Sequence, residues 1–337
     1  MTNELKNKDG SDEDFHPTAT LEVLRGRADL LRSIRQFFDS REFFEVETPL
    51  LSHDIVIDRH LHPIGIAKKD VTGREADADA RLWLQTSPEF GMKRLVASGA
   101  EAIYQICKSF RQSESGRKHN PEFTMLEWYR VGDNMQLGME LLGEFIGEIL
   151  GRPRPTLISY LDAFKKYAGI DPFRATVEEL GCCVSEAGIE LALACEESNR
   201  DEFLNLILSE VIESKLGVSQ PEIVFDWPAS QAALAIVRDG EIPVAERFEL
   251  YVDGVELANG YHELLDPEEL RARNSVNNQL RVKDSNSLLP EASRLLSAME
   301  SGMPGCAGVA MGVDRLMMLM VEASSISGVL AFPIDRA

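Results

Sequence analysis

Four basic side chains crowd one loop of an acidic chain. Arg111, Arg117, Lys118 and His119 lie close together, yet the 337 residues carry 35 Lys and Arg against 56 Asp and Glu, a formal net charge of -21. Local cationic charge on an anionic protein suits a phosphorylated ligand, because guanidinium and phosphate pair through charge-assisted hydrogen bonds. A solvated charged turn is the plainer alternative, and charge pattern alone does not choose between them. Carboxylates follow at telling positions. Glu127 and Tyr129 stand two apart, so in a strand they share a face near the basic loop. Glu256 and Glu263 flank Gly260. Strict alternation separates them, whereas a bulge or bend at Gly260 reverses the phase and lets both reach one hard divalent cation. Glu89 follows Ser87 and Pro88, which is also the form of a helix start. Arg315 sits early in an apolar helix after glycine-spaced residues 308–312, where a helix N-terminus favours anions.

These residues need elements to hold them. Residues 104–111 and 123–129 alternate as strands around a polar loop with Gly116 and Pro121, the pattern of a hairpin with a long loop. On the return strand Phe123, Met125, Glu127 and Tyr129 share one face, and Thr124, Leu126 and Trp128 the other. Upstream, Leu21, Leu24, Ala28, Leu31 and Phe38 recur at helical spacing after Thr18 or Thr20 as cap. Phe44, Val46 and Thr48 alternate in a strand that Pro49 ends. Residues 68–81 form a charged loop, and a short strand over 81–86 leads to Ser87. Helices are expected at 137–150, 159–168, 176–190 and 199–216, so that 134–217 reads as a helical insertion without identifiable chemistry. Strands return at 222–226 and 246–252; residues 227–231 read as a turn. Asp253-Gly254 marks a tight hairpin into 255–264. Residues 266–300 are polar and helical.

Composition bounds the function. A chain of this length can bury one large domain or two modest ones. The acidic balance argues against broad polyanion binding, which needs clustered cations. The five cysteines, with Cys182 and Cys183 adjacent, show no metal spacing and no disulfide framework, so a reduced cytoplasm is the expected setting. Residues 1–17 are polar and are expected to be a disordered tail, not a signal peptide. The apolar run at 316–321 is too short for a membrane span, and its methionines suit core packing better than a soft metal. The glycine spacing at 308–312 matches neither the Rossmann nor the P-loop pattern.

Together the segments resemble the catalytic domain of class II aminoacyl-tRNA synthetases, in the lysyl subgroup. Phe43-Phe-Glu-Val-Glu-Thr-Pro49 is similar to their first motif. Phe110-Arg111, Arg117 and His119 to Glu127 resemble the second, and residues 308–316 the third. Glu256-Leu-Ala-Asn-Gly260 with Glu263 is also typical of them. The likeness runs over about 20–337. Only 42 residues precede the first motif, too few for an anticodon-binding barrel. The nearer resemblance is therefore to the truncated paralogues, the elongation factor P–(R)-β-lysine ligases. It is carried by Met92-Lys-Arg-Leu, Trp128-Tyr-Arg130, Trp227-Pro-Ala-Ser-Gln231, the C-terminal Phe332 to Ala337, and Ala310, where lysyl-tRNA synthetases usually have glycine.

The resemblance implies an α+β fold, an antiparallel sheet flanked by helices, and a homodimer through the first motif. It implies a soluble ATP-dependent enzyme that forms an adenylate of (R)-β-lysine, with Mg²⁺ accompanying ATP, and passes it to a lysine of elongation factor P. Neither tRNA nor membrane is expected as a partner. Arg111 and Arg315 become the catalytic residues, toward the α- and γ-phosphates. ATP contacts fall to Arg111, Gln112, Ser113, His119, Asn120, Phe123, Glu256, Leu257, Gly312 and Arg315. The amino acid is assigned Ser87, Glu89, Glu127, Tyr129, Asn259, Glu263 and Ala310. Glu256 and Glu263 are the metal candidates, so Glu263 holds two roles at once. The synthetases have a glutamate for adenine two places after the motif arginine; here Ser113 stands there, and Glu114 or backbone groups must replace it. A stand-alone α-lysine ligase and a catalytically silent lysine- or nucleotide-binding regulator remain as rivals.

Overall fold

The computed structural model describes residues 15–77, 80–189 and 199–337. Residues 1–14 of the expected tail and residue 190 of the expected third helix lie outside them.

The strands are β1 (Phe44–Glu45), β2 (Leu51–Ser52), β3 (Gly65–Ala67), β4 (Arg81–Leu84), β5 (Ala102–Phe110), β6 (Glu122–Val131), β7 (Thr156–Ser159), β8 (Glu222–Pro228), β9 (Val237–Arg238), β10 (Val244–Val252), β11 (Val255–His262) and β12 (Cys306–Gly312). The helices are α1 (Leu21–Asp39), α2 (Lys68–Thr72), α3 (Glu89–Ala97), α4 (Met135–Leu150), α5 (Tyr160–Tyr167), α6 (Val177–Glu186), α7 (Arg200–Ile207), α8 (Pro267–Lys283), α9 (Arg294–Glu300) and α10 (Val313–Met320). The main sheet runs β1-β5-β6-β12-β11-β10-β8-β7, with β9 beside β10. It is antiparallel except at its two edges, where β1 lies parallel to β5 and β7 to β8. The α+β expectation holds. A small sheet, β2-β4-β3, stands apart.

Alternation decides what each sheet face does. Leu126 and Trp128 on β6, Val309 and Met311 on β12, and Ala258 on β11 bury into one core with Ile34, Phe37 and Phe38 of α1 and Leu142 and Phe145 of α4. Phe38 stacks on Tyr104 at 4.6 Å between ring centroids. Gly260 faces the same core directly opposite Phe248, and an added Cβ there would overlap the Phe248 ring. Its bareness is a packing requirement. A second core joins α5, α6 and α7 to β8 through Tyr160, Phe164, Phe203 and Trp227. A third packs Phe90 and Met92 of α3 against Tyr129 and Leu295.

Several local expectations shift. Thr20 caps α1 by accepting from the Val23 amide, but the buried stripe is Leu30, Ile34, Phe37 and Phe38, while Leu21 is exposed and Leu31 only partly covered. Apolar residues wrap more than one side of α1, and the sheet selects the side it meets. The first-motif strand pairs only at Phe44 and Glu45. The charged stretch at 68–81 contains α2. Trp227 and Pro228 end β8 and are not a turn; the turn follows at Ala229–Gln231. Within 134–217, α4 belongs to the main core and β7 joins the sheet. The hairpin at Asp253-Gly254 forms as expected, with positive φ at both residues.

Candidate active site

The face of the sheet opposite α1 and α4 floors a cavity of about 470 Å³. Its floor is the small-residue row Gly308, Ala310 and Gly312 on β12. To one side lie Phe123, Met125, Glu127 and Tyr129 of β6, in register with them: Gly312 opposite Met125, Ala310 opposite Glu127, Gly308 opposite Tyr129. On the other side Asn259 pairs with Ala310 and Tyr261 with Gly308. The face expected for the return strand of the hairpin is therefore the wall of a cavity, and its partner face is core. An added Cβ at Gly308 would overlap the Tyr129 ring and Glu263 Oε1, so the floor is as low as side chains permit.

One end of the cavity is cationic. Arg315 donates to the Glu256 carbonyl at 2.9 Å and approaches Glu256 Oε2 at 3.3 Å. Its other amino group lies 2.6 Å from His119 Nε2. A guanidinium only donates, so that nitrogen accepts and the imidazole is neutral; burial, then Arg315, lower the His119 pKa. Arg111 sits over the Phe123 ring at 5.0 Å and faces Glu114 at 3.7 Å. Lys118 reaches Glu213 and the Gly254 carbonyl, which ties the basic loop to the β10–β11 turn. Asn120 lines the cavity too, but its amide is engaged, donating to the Glu122 carbonyl and accepting from the Ile334 amide.

The other end is acidic and closed. Glu89, Glu127 and Glu263 line it, each less than a tenth exposed. Tyr129 donates to Glu127 Oε1 at 2.6 Å. Lys93, one turn along α3 from Glu89, places its ammonium between Glu89 and Glu263, at 2.5 Å from the latter. Burial would lower the Lys93 pKa, but the two carboxylates outweigh it and the net shift is upward. Burial pushes Glu127 up to about 8, reinforced by Glu89. Burial also pushes Glu263 up to about 8, against the pull of Lys93. Glu127 Oε2 and Glu263 Oε1 are buried with no hydrogen-bond partner among the described residues. Buried acceptors left open in this way are costly until a donor arrives.

The cavity brings together Ser87, Glu89, Arg111, His119, Asn120, Phe123, Glu127, Tyr129, Glu256, Leu257, Asn259, Glu263, Ala310, Gly312 and Arg315. Gln112 and Ser113 do not line it, whereas Glu114 does. Ser113 takes a left-handed backbone with φ of 66°. Ser87 accepts from the Glu89 amide at 3.2 Å, so its helix-start role and its place in the cavity coexist.

Glu256 and Glu263 do not converge. Seven positions of extended chain separate them, roughly 20 Å. The expected phase reversal exists, but it lies at Leu257, where Leu250 faces Ala258 and Tyr251 faces Glu256. Glu263 is taken by Lys93, and no cluster of three His, Cys, Asp or Glu able to hold a metal occurs among the described residues. Glu256, a half-exposed hard oxygen donor beside Arg315, fits a cation that phosphates would largely coordinate, and does not fit an all-protein cage.

Sequence reasoning missed Lys93 and the Arg247 group. Arg247 lies 4.1 Å over Trp227, pairs with Glu249 at 2.5 Å and reaches Asn259 at 3.3 Å, fixing the Asn259 side chain. The spacing of Glu89 and Lys93 was a readable helical pair. Nothing local signalled Arg247, because its partners come from three segments.

An antiparallel sheet floor, a basic hairpin loop and an arginine opening the last helix together define a class II synthetase catalytic fold. Residues 14–336 match the family described as tRNA synthetases class II (D, K and N), and the chain belongs to that family. Its relatives sharpen this. It is 43% identical over 323 residues to the elongation factor P–(R)-β-lysine ligase of Vibrio parahaemolyticus, covering 96% of this chain and 99% of that protein. It is 43% identical over 327 residues to the ligase of that name from Vibrio cholerae, covering 97% and 100%. The Haemophilus ducreyi ligase is 42% identical over 324 residues, covering 96% and 97%. No helix among the described residues is long and apolar enough to cross a membrane, and the four described cysteines, Cys107, Cys182, Cys183 and Cys306, are free.

Proposed function

We propose that this chain activates (R)-β-lysine with ATP and transfers it to a lysine of elongation factor P. The observation that carries this reading is the polarity of one cavity. Arg111, His119 and Arg315 occupy one end, and Glu89, Glu127 and Glu263 the other, with a floor of Gly308, Ala310 and Gly312 between them. Such a site accepts a polyphosphate at one end and a diammonium amino acid at the other.

In the first step a β-lysine carboxylate oxygen attacks the α-phosphorus of ATP and the bond to pyrophosphate breaks. In the second, the acceptor ε-amine attacks the adenylate carbonyl, the bond to AMP breaks, and the amine gives up a proton. Neither step needs a covalent enzyme intermediate. Catalysis is positioning together with stabilisation of charge on phosphate oxygens. Arg111 serves the α-phosphate and Arg315 the γ-phosphate; Phe123 stacks on adenine. Ala310 and Asn259, paired across β12 and β11, border the reacting carboxylate. Glu256 would hold Mg²⁺, which when bound neutralises phosphate charge. The lining by Glu114 supports it over Ser113 as the adenine-side group. The exposure of Phe44 (52%) on the edge strand β1, within the first motif, supports a homodimer through that edge.

ATP–pyrophosphate exchange with (R)-β-lysine and with α-lysine tests the reading. Exchange that prefers β-lysine, followed by transfer to elongation factor P, is expected. No exchange with either amino acid refutes an adenylating enzyme; preference for α-lysine with transfer to tRNA refutes the assignment.

A further inference from the structure

Lys93 does not line the cavity, yet it governs the charge of the cavity's closed end. Its side chain is 2% exposed, and its ammonium is sealed between Glu89 on α3 and Glu263 just after β11. Glu127 and Tyr129 of β6, Tyr261 of β11 and Cys306 at the start of β12 are titratable groups that share its field. With all three carboxylates ionised, the one internal ammonium leaves two negative charges for a substrate to meet. Two buried carboxylate oxygens, Glu127 Oε2 and Glu263 Oε1, have no partner. The second of them stands where a Gly308 side chain would be, so it opens directly onto the floor.

We propose that Lys93 is a positioning and specificity residue. By cancelling one of three carboxylate charges and holding Glu89 and Glu263 apart, it makes the closed end complementary to a substrate with two ammonium groups. The inference rests on the reading that this end takes the amino acid. Removing one partner of a buried ion pair also destabilises the fold, so the effect of Lys93 on recognition is read from the split between amino acid and ATP. Without its ammonium, Glu89 and Glu263 would be two adjacent buried carboxyls, and like charges so placed share a proton. The pH at which those negative charges are offered to substrate would then move upward.

The test is exchange kinetics of Lys93→Met and Lys93→Arg across pH 6–9, with folding checked by thermal melts. In Lys93→Met, KM for the diamino acid should rise on the order of 100-fold, with KM for ATP unchanged. The rising limb of kcat/KM should move to higher pH, and Lys93→Arg, which keeps the charge, should restore its position. An unmoved limb with unchanged KM, or equal losses for ATP and amino acid, overturns the proposal. If Lys93→Met does not fold, the wild-type protein still decides. A β-amino acid of equal chain length without the terminal ammonium should inhibit at least about 100-fold more weakly than the diamino acid binds. Inhibition within a few-fold overturns the charge match. Failure of the wild-type protein to exchange with any diamino acid would instead sink the proposed function.

Discussion

Glu127→Gln, followed through stability against pH, probes the closed end without any substrate. In the folded protein burial, with Glu89 next, pushes Glu127 up to about 8, against an ordinary value of 4.5. Between those values the folded state holds a proton that the unfolded chain has released. More protons are then bound folded than unfolded, so stability falls as pH rises. The slope is at most about 1.4 kcal/mol per pH unit for one group. It ends above pH 8, where both states are ionised. Glutamine keeps the shape and can still accept from Tyr129, but it does not titrate. Glu249, pushed up to about 7, slopes in the same direction in both proteins and cancels in the comparison, whereas Glu263 shares the field of Glu127 and cancels only in part. From pH 6 to pH 8 the variant should therefore gain on the wild type by up to about 2.7 kcal/mol. Urea unfolding at pH 6, 7 and 8 and constant ionic strength measures this through the midpoints. A stability difference that does not change with pH would refute the assignment of a protonated, buried Glu127.

Further outcomes are expected. The affinity for a diammonium substrate should rise from pH 6.5 to pH 8, because ionised Glu127 and Glu263 are the binding forms; calorimetric titration that finds a flat or falling affinity contradicts this. Arg315→Gln should cut exchange on the order of 100-fold while leaving the melt nearly unchanged, since its partners Glu256 and His119 are not deeply buried. Gly260→Ala should destabilise by about 1–3 kcal/mol through overlap with Phe248, and adding Phe248→Leu should recover part of that loss in urea melts. A chelator should abolish exchange, with Mg²⁺ restoring it, yet leave the melting temperature unmoved, because the described residues build no protein-only metal cage.

Some local features were legible. Period-two alternation placed Phe123, Met125, Glu127 and Tyr129 on one face, because a pleated strand leaves no other option. Asp253-Gly254 announced its hairpin through turn chemistry alone. Ser87 and Glu89 announced the start of α3. The segments that resemble class II synthetases then ordered those pieces into a site. Facts that involve distant segments stayed hidden. Whether Glu256 and Glu263 converge depends on a bulge at Leu257, and a bulge is set by which residues of β10 it opposes. Which stripe of α1 is buried depends on where the sheet lies. Lys93 reads as a surface helix residue until α3 is docked and Glu263 arrives from 170 positions away. Most of the long elements, the faces of the site hairpin and the residues that could do chemistry follow from backbone periodicity and side-chain type, and so were legible in the chain. Only the tertiary structure decided which charges meet, and hence that one end of the cavity holds arginines and the other keeps two carboxylate oxygens open. Coulombic and desolvation energies depend on spatial neighbours, and the chain brings those together only when it folds.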